Sequence, residues 1–251
     1  MTLRWADKAD CGTRARKLLR WPRVTLSSVF LFDIDGTLLS TGGAGRRAMA
    51  RAFGAVCGNE KALVGVKLGG MTDRLILRAG FEAIGETFSE LRYQEVMQSY
   101  LRALPEEVSA STNYIVYDGV QAAIARCQGQ EHAVVGLGTG NVEKGARIKL
   151  ERAGLNGHFA FGGFGSDAEQ RDAVVDAGIV RGIERLGVGR NQVRVTIIGD
   201  TPKDVTAAHA CGARCIAIAT GGFSQQELHA AGADAVFATL TSEGALEAIV
   251  G

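Results

Sequence analysis

Charge of one sign is what this 251-residue chain lacks most: 28 Lys and Arg stand against 27 Asp and Glu, for a formal net charge of +1. So even a balance gives no field for non-specific attraction to nucleic acid, and no basic stripe interleaved with aromatics appears. Nor does any apolar run approach the roughly 18 residues that suggest a membrane span, so a soluble protein is expected. Repeats and low-complexity segments are absent as well. The first 23 residues carry Arg4, Lys8, Arg14, Arg16, Lys17, Arg20 and Arg23 among Trp5 and Trp21. They lack the apolar centre of a signal peptide, and Asp7 and Asp10 argue against an organellar transit peptide, so residues 1–23 read as a flexible N-terminal extension. Five cysteines, an odd number in a chain too long to need staples, exclude a disulfide framework and suit reduced thiols in a cytoplasm. Cys211 and Cys215 flank a glycine turn near His209, but that turn would place them on different elements, as buried thiols rather than metal ligands. His132, His158 and His229 have no neighbours that would complete a triad.

What is present is 46% apolar content, enough for a sizeable core. Strand patterns near 28–33, 132–138, 193–199 and 214–219, with weaker ones near 158–164 and 234–237, alternate with helical stretches. That rhythm predicts an α/β fold, a Rossmann-like doubly wound parallel sheet, with ligands at the carboxyl ends of the strands. Residues 42–116 break the rhythm with helical runs at Ala44–Val56, Thr72–Ile84 and Ser89–Leu104 and no convincing strand. The expected organisation is an α/β core of 24–41 and 117–251 with an inserted α-helical cap of 42–116, hinged at Gly42-Gly43 and Asp118-Gly119, that closes over the site.

Chemistry gathers where strands end. Phe32-Asp33-Ile34-Asp35-Gly36-Thr37 places two carboxylates two residues apart as an apolar strand meets a glycine turn. Like charges so close call for a cation, and a hard divalent ion such as magnesium is the natural candidate. Gly138-Thr139-Gly140-Asn141 ends the next strand with a hydroxyl and bare backbone N–H groups suited to phosphate oxygens; the competing reading is a helix N-cap. Gly199-Asp200-Thr201-Pro202-Lys203-Asp204 repeats the pattern, with Asp200 able to complete a metal site or simply to cap a helix. Phe164-Gly165-Ser166-Asp167 leads into a helix that carries Arg171.

In this order the four segments resemble the haloacid dehalogenase superfamily of phosphotransferases, over about Val24 to Phe237. The likeness is greatest to the subfamily with a helical cap after the first strand, among proteins similar to phosphoglycolate phosphatase. It implies a magnesium-dependent phosphatase acting on a small phosphorylated metabolite, with no nucleic-acid or membrane partner. Asp33 would attack phosphorus, and Asp35 would protonate the leaving oxygen and then deprotonate water. Thr139, Gly140 and Arg171 would hold the phosphoryl group, and magnesium would be bound by Asp33, Asp200 and the Asp35 carbonyl, with Asp204 in support. The family usually has Lys where this chain has Arg171; Lys144 and Lys149 compete for that role but fall on a helix face expected to be solvated. Gly69-Gly70-Met71-Thr72-Asp73-Arg74 resembles a cap loop of the family, with Arg74 a candidate for a substrate carboxylate or else a solvated residue behind a Thr72 cap. A phosphomutase similar to β-phosphoglucomutase is the nearest alternative activity. A non-enzymatic phospho-switch is the alternative of another class, disfavoured by length and by the cap.

Overall fold

The structure is a computed structural model and describes residues 26–251; the extension proposed for residues 1–23 lies outside them. Six strands form one parallel sheet: β1 (Ser27–Phe32), β4 (Ala133–Gly138), β5 (Gly162–Gly163), β6 (Val193–Gly199), β7 (Arg214–Ile218) and β8 (Ala235–Phe237), in the order β5-β4-β1-β6-β7-β8. Successive side chains of a strand point to opposite faces, so an unbroken apolar run can serve a sheet covered on both sides. β1 does so. Phe30 and Phe32 join a core with Ile124 of α4 (Val120–Gln128), Leu150 of α5 (Glu143–Glu151) and Ile249 of α9 (Ala245–Val250). Val29 and Leu31 face the other way, onto Ile179 of α6 (Arg171–Leu186) and Val205 of α7 (Pro202–Ala210).

Register then sets the site. Phe32 pairs with Leu137 on one side and Ile198 on the other. Asp33, Thr139 and Asp200 therefore emerge at one edge of three adjacent central strands, where the chain order reverses and ligands bind in open α/β sheets.

Three helices, α1 (Ala44–Cys57), α2 (Asp73–Ala83) and α3 (Glu90–Ala110), surround an apolar cluster of their own that includes Phe53, Leu77, Phe81, Tyr100 and Leu104. The Phe53 and Phe81 rings meet edge to face with centroids 5.1 Å apart. Thr72 caps α2, its hydroxyl accepting from the Leu75 N–H, as the spacing predicts. Two strand expectations need correction. The segment near 158–164 supplies only the two-residue edge strand β5, preceded by a short 3-10 turn at Asn156–His158, because an edge strand pairs on one side only. The insertion also contributes β3 (Ile115–Val116), which pairs antiparallel with β2 (Leu39–Ser40), a ribbon too short to leave a period in the sequence.

Candidate active site

Gly36 lets the chain turn sharply off β1. Its φ is +89°, a region that side chains disfavour, and a Cβ there would lie 2.2 Å from an oxygen of Asp200. Asp33, immediately before this turn, is 5% exposed. One of its oxygens, Oδ1, lies 3.1 Å from Nη2 of Arg171. Burial pushes the Asp33 carboxyl up to about 6 against the pull of Arg171, with Asp204 and Asp35 adding to the rise.

Arg171 opens α6 and is buried, so the surface ion pair that its acidic surroundings suggest is not what forms. Its Nη2 donates to Asp204 at 2.6 Å and to the Gly138 carbonyl at 3.0 Å. Burial alone would depress the guanidinium; the Asp33 and Asp204 carboxylates more than offset that and raise it. Its Nε is buried with no partner, and a Cβ on Gly140 would come within 2.9 Å of Nη1. Donors are thus left facing the cavity, and the Gly140 N–H is likewise unpaired among the described residues. Asp204 gives its other oxygen to the Thr201 N–H and hydroxyl, at 3.1 and 2.7 Å, completing a capping box on α7. Thr201, not Asp200, is therefore the cap of α7, and Asp204 holds Arg171 in place. The N-cap reading of Thr139 also falls, because α5 starts later, with Val142 at its cap.

Asp200 is 3% exposed and has no cationic partner among the described residues; the Thr37 hydroxyl donates to it at 3.3 Å. Burial first, then Asp204 and Asp33, drive its pKa well above the ordinary carboxylate value. Oxygens of Asp33, Asp200 and Asp204 lie within 4.8 Å of one another. Three buried carboxylates with one guanidinium between two of them fit a hard divalent cation with oxygen ligands. Both oxygens of Asp204 already accept hydrogen bonds, from Arg171 and from Thr201, which leaves Asp33 and Asp200 as the carboxylates free for it.

Asp35 presents the second acidic group, and here one expectation is overturned. Lys149, expected on a solvated face, is 5% exposed and donates to Asp35 at 2.6 Å and to the Asn141 side-chain carbonyl at 2.6 Å. Asn141 in turn donates to Asp35 and to the Thr139 hydroxyl, both at 2.8 Å. Lys149 was weighed from the sequence only as a rival to Arg171 and Asn141 was given no role, yet a signal existed for the burial of Lys149: Ala146, Lys149 and Leu150 share the i, i+3, i+4 face that packs inward.

A cavity of about 530 Å³ joins these groups and is lined in part by the helical segment, which contributes Arg46, Met49, Asp73, Ile76 and Tyr100. Asp73 is buried, accepts from the Val142 N–H at 2.8 Å, and has its carboxyl pushed by burial up to about 6. Arg74 does not line the cavity. It is committed to Glu90 at 2.6 Å and Glu169 at 3.0 Å and lies over the Tyr93 ring, which removes it as a contact for a substrate carboxylate.

Solved structures share this arrangement of elements. A hydrolase from Pseudomonas syringae superposes with a TM-score of 0.64 at 20% identity, over 86% of this chain and 94% of its own. CbbY from Rhodobacter sphaeroides, in complex with phosphate, gives 0.65 at 17% identity over 90% and 100%. A "predicted phosphoglycolate phosphatase" from Haemophilus somnus gives 0.63 at 16% over 86% and 95%. At these identities the likeness is one of fold. No curated protein matches the chain. The family model for haloacid dehalogenase-like hydrolase matches residues 28–212, which hold every strand-end carboxylate described above. The chain belongs to the haloacid dehalogenase-like hydrolases.

Proposed function

We propose that this hydrolase is a magnesium-dependent phosphatase that cleaves a small phosphorylated metabolite through an aspartyl-phosphate on Asp33, with residues 42–116 acting as its cap. The observation that carries this reading is the buried Asp33, which lines the cavity with one oxygen held by Arg171. In the first step an oxygen of Asp33 forms a bond to phosphorus while the ester P–O bond breaks, and Asp35 gives its proton to the departing oxygen. In the second, Asp35 takes a proton from the water that displaces Asp33. Arg171, Thr139 and the Gly140 N–H hold the phosphoryl oxygens. Asp33, Asp200 and the Asp35 carbonyl would hold magnesium, which screens the negative charges that otherwise repel one another.

The test is a panel of phosphorylated metabolites assayed with magnesium. Free phosphate with no new phosphorylated product is expected, whereas transfer to a second hydroxyl would make the protein a mutase. Asp35→Asn, given p-nitrophenyl phosphate, whose leaving group needs little protonation, should form the phosphoenzyme and release phosphate slowly. A long-lived phospho-Asp33 in the parent protein, with no turnover of any metabolite, would replace the enzyme reading with a switch.

Magnesium should also report on the carboxylates through stability. Because the folded pKa values of Asp33 and Asp200 are raised, the folded state binds more protons than the unfolded chain, and metal-free stability falls as pH rises from the ordinary carboxylate value, through about 6 for Asp33 and with Asp200 adding in the same direction. Cation binding needs the ionised forms. The rise in thermal midpoint caused by magnesium should therefore grow with pH and fade as pH falls through about 6, where Asp33 takes up its proton, and Asp200→Ala should lose most of it. An undiminished rise in that variant would show that Asp200 does not hold the ion.

A further inference from the structure

We infer that Arg46 forms a second anion subsite in this cavity, so that the favoured substrates are phosphate monoesters whose leaving group carries its own negative charge, a carboxylate or a second phosphate. This rests on the phosphatase reading and deepens it. Three cations line the cavity: Arg46, Lys149 and Arg171. Lys149 is paired with Asp35, and Arg171 with Asp33 and Asp204. Arg46 has no carboxylate partner among the described residues. Its Nη1 and Nη2 donate instead to the carbonyls of Leu63 at 2.6 Å and Val66 at 2.7 Å, which fix the guanidinium in place without neutralising it. A guanidinium has five N–H donors, so three remain for a ligand.

Its neighbours sharpen the contrast. Arg47 and Arg51 on the same helix both pair with glutamates of α3, Glu107 for the first and Glu106 and Glu107 for the second. Of the three arginines of α1, only Arg46, which lines the cavity, has no carboxylate partner among the described residues. It also sits in the first turn of α1, where no acidic residue offsets the helix dipole and a cation is disfavoured. No carboxylate among the described residues compensates that local cost, and an anion entering the cavity would. Arg46 remains accessible to solvent, as a group that meets a diffusing ligand must be. A side chain fixed by two carbonyls loses little freedom on binding, which favours affinity.

The experiment compares kcat/KM for 2-phosphoglycolate and for a small bisphosphate with that for p-nitrophenyl phosphate, whose leaving group carries no second anion before cleavage. The parent should prefer the doubly anionic substrates. In Arg46→Gln that preference should fall about 10- to 100-fold, chiefly through KM, as expected for loss of a charge-assisted contact. Arg46→Lys, which keeps the charge but not the fork on the two carbonyls, should lower thermal stability yet retain most of the preference. The ratio is independent of how much enzyme is folded. Which substrate suffers more identifies the carboxylate or the phosphate as the group read. If Arg46→Gln leaves the ratio unchanged while stability drops, Arg46 only pins the 63–66 loop and the subsite is wrong. Absence of Asp33-dependent hydrolysis of p-nitrophenyl phosphate would instead remove the phosphatase reading itself.

Discussion

Asp33→Asn should be folded and essentially inactive, with turnover lowered on the order of 10⁴-fold or more, as when a nucleophile is removed from a covalent mechanism. Two properties of one carboxylate combine here, since Asp33 is both the proposed nucleophile and a proposed ligand of the cation. Size is conserved, so the packing at the end of β1 is retained. The buried charge is not, and its loss should raise the metal-free thermal midpoint at neutral pH, where burial holds the carboxyl at about 6 and ionisation costs most. Inactivity combined with higher stability excludes misfolding as the cause. An active Asp33→Asn enzyme would remove the covalent mechanism altogether.

Arg171→Ala should lose roughly 30- to 1,000-fold in rate, equivalent to about 2–4 kcal/mol of transition-state stabilisation. The substitution removes the donors left facing the phosphoryl position and also exposes Asp33 and Asp204 to each other without their shared cation. Arg171→Lys keeps a charge but cannot span both carboxylates and the Gly138 carbonyl, so it should recover only part of the loss. Lys149→Met is the informative comparison. Sequence alone made Lys149 a bystander, but its contacts with Asp35 and Asn141 predict a slower reaction with a smaller loss than Arg171→Ala, because Lys149 acts on the proton-transfer group rather than on phosphate. Lys144→Ala, on the exposed side of α5, should be near the parent. A Lys149→Met enzyme more crippled than Arg171→Ala would reverse the roles assigned to the two cations.

Much of the sheet was legible because its signals are local. An apolar run that stops at glycine marks a strand end within a few residues, and β1, β4, β6 and β7 fall within one residue or so of their expected limits. The helical runs of the insertion were legible for the same reason, their apolar positions recurring at helical spacing. β5 was overread, because three phenylalanines and two glycines within 158–164 look like a strand whether or not a partner lies beside them. Lys149 was misread by residue type: lysines usually face solvent, and only a half-exposed carboxylate 114 residues away makes this one an exception.

By itself, then, the sequence determined that Asp33, Thr139 and Asp200 end strands, that a helical segment follows the first of them, and that a cationic residue opens the helix after Phe164-Gly165. Tertiary structure decided which cations are neutralised and which are left over. Arg74 is held by Glu90 and by Glu169, 95 residues away, Lys149 by Asp35, and Arg171 by Asp33 and Asp204, while Arg46 meets only carbonyls. Helix and strand periods report a residue's surroundings over one or two turns, whereas an ion pair depends on distances of a few ångströms between segments remote in the chain, which exist only once the sheet and its helices have packed.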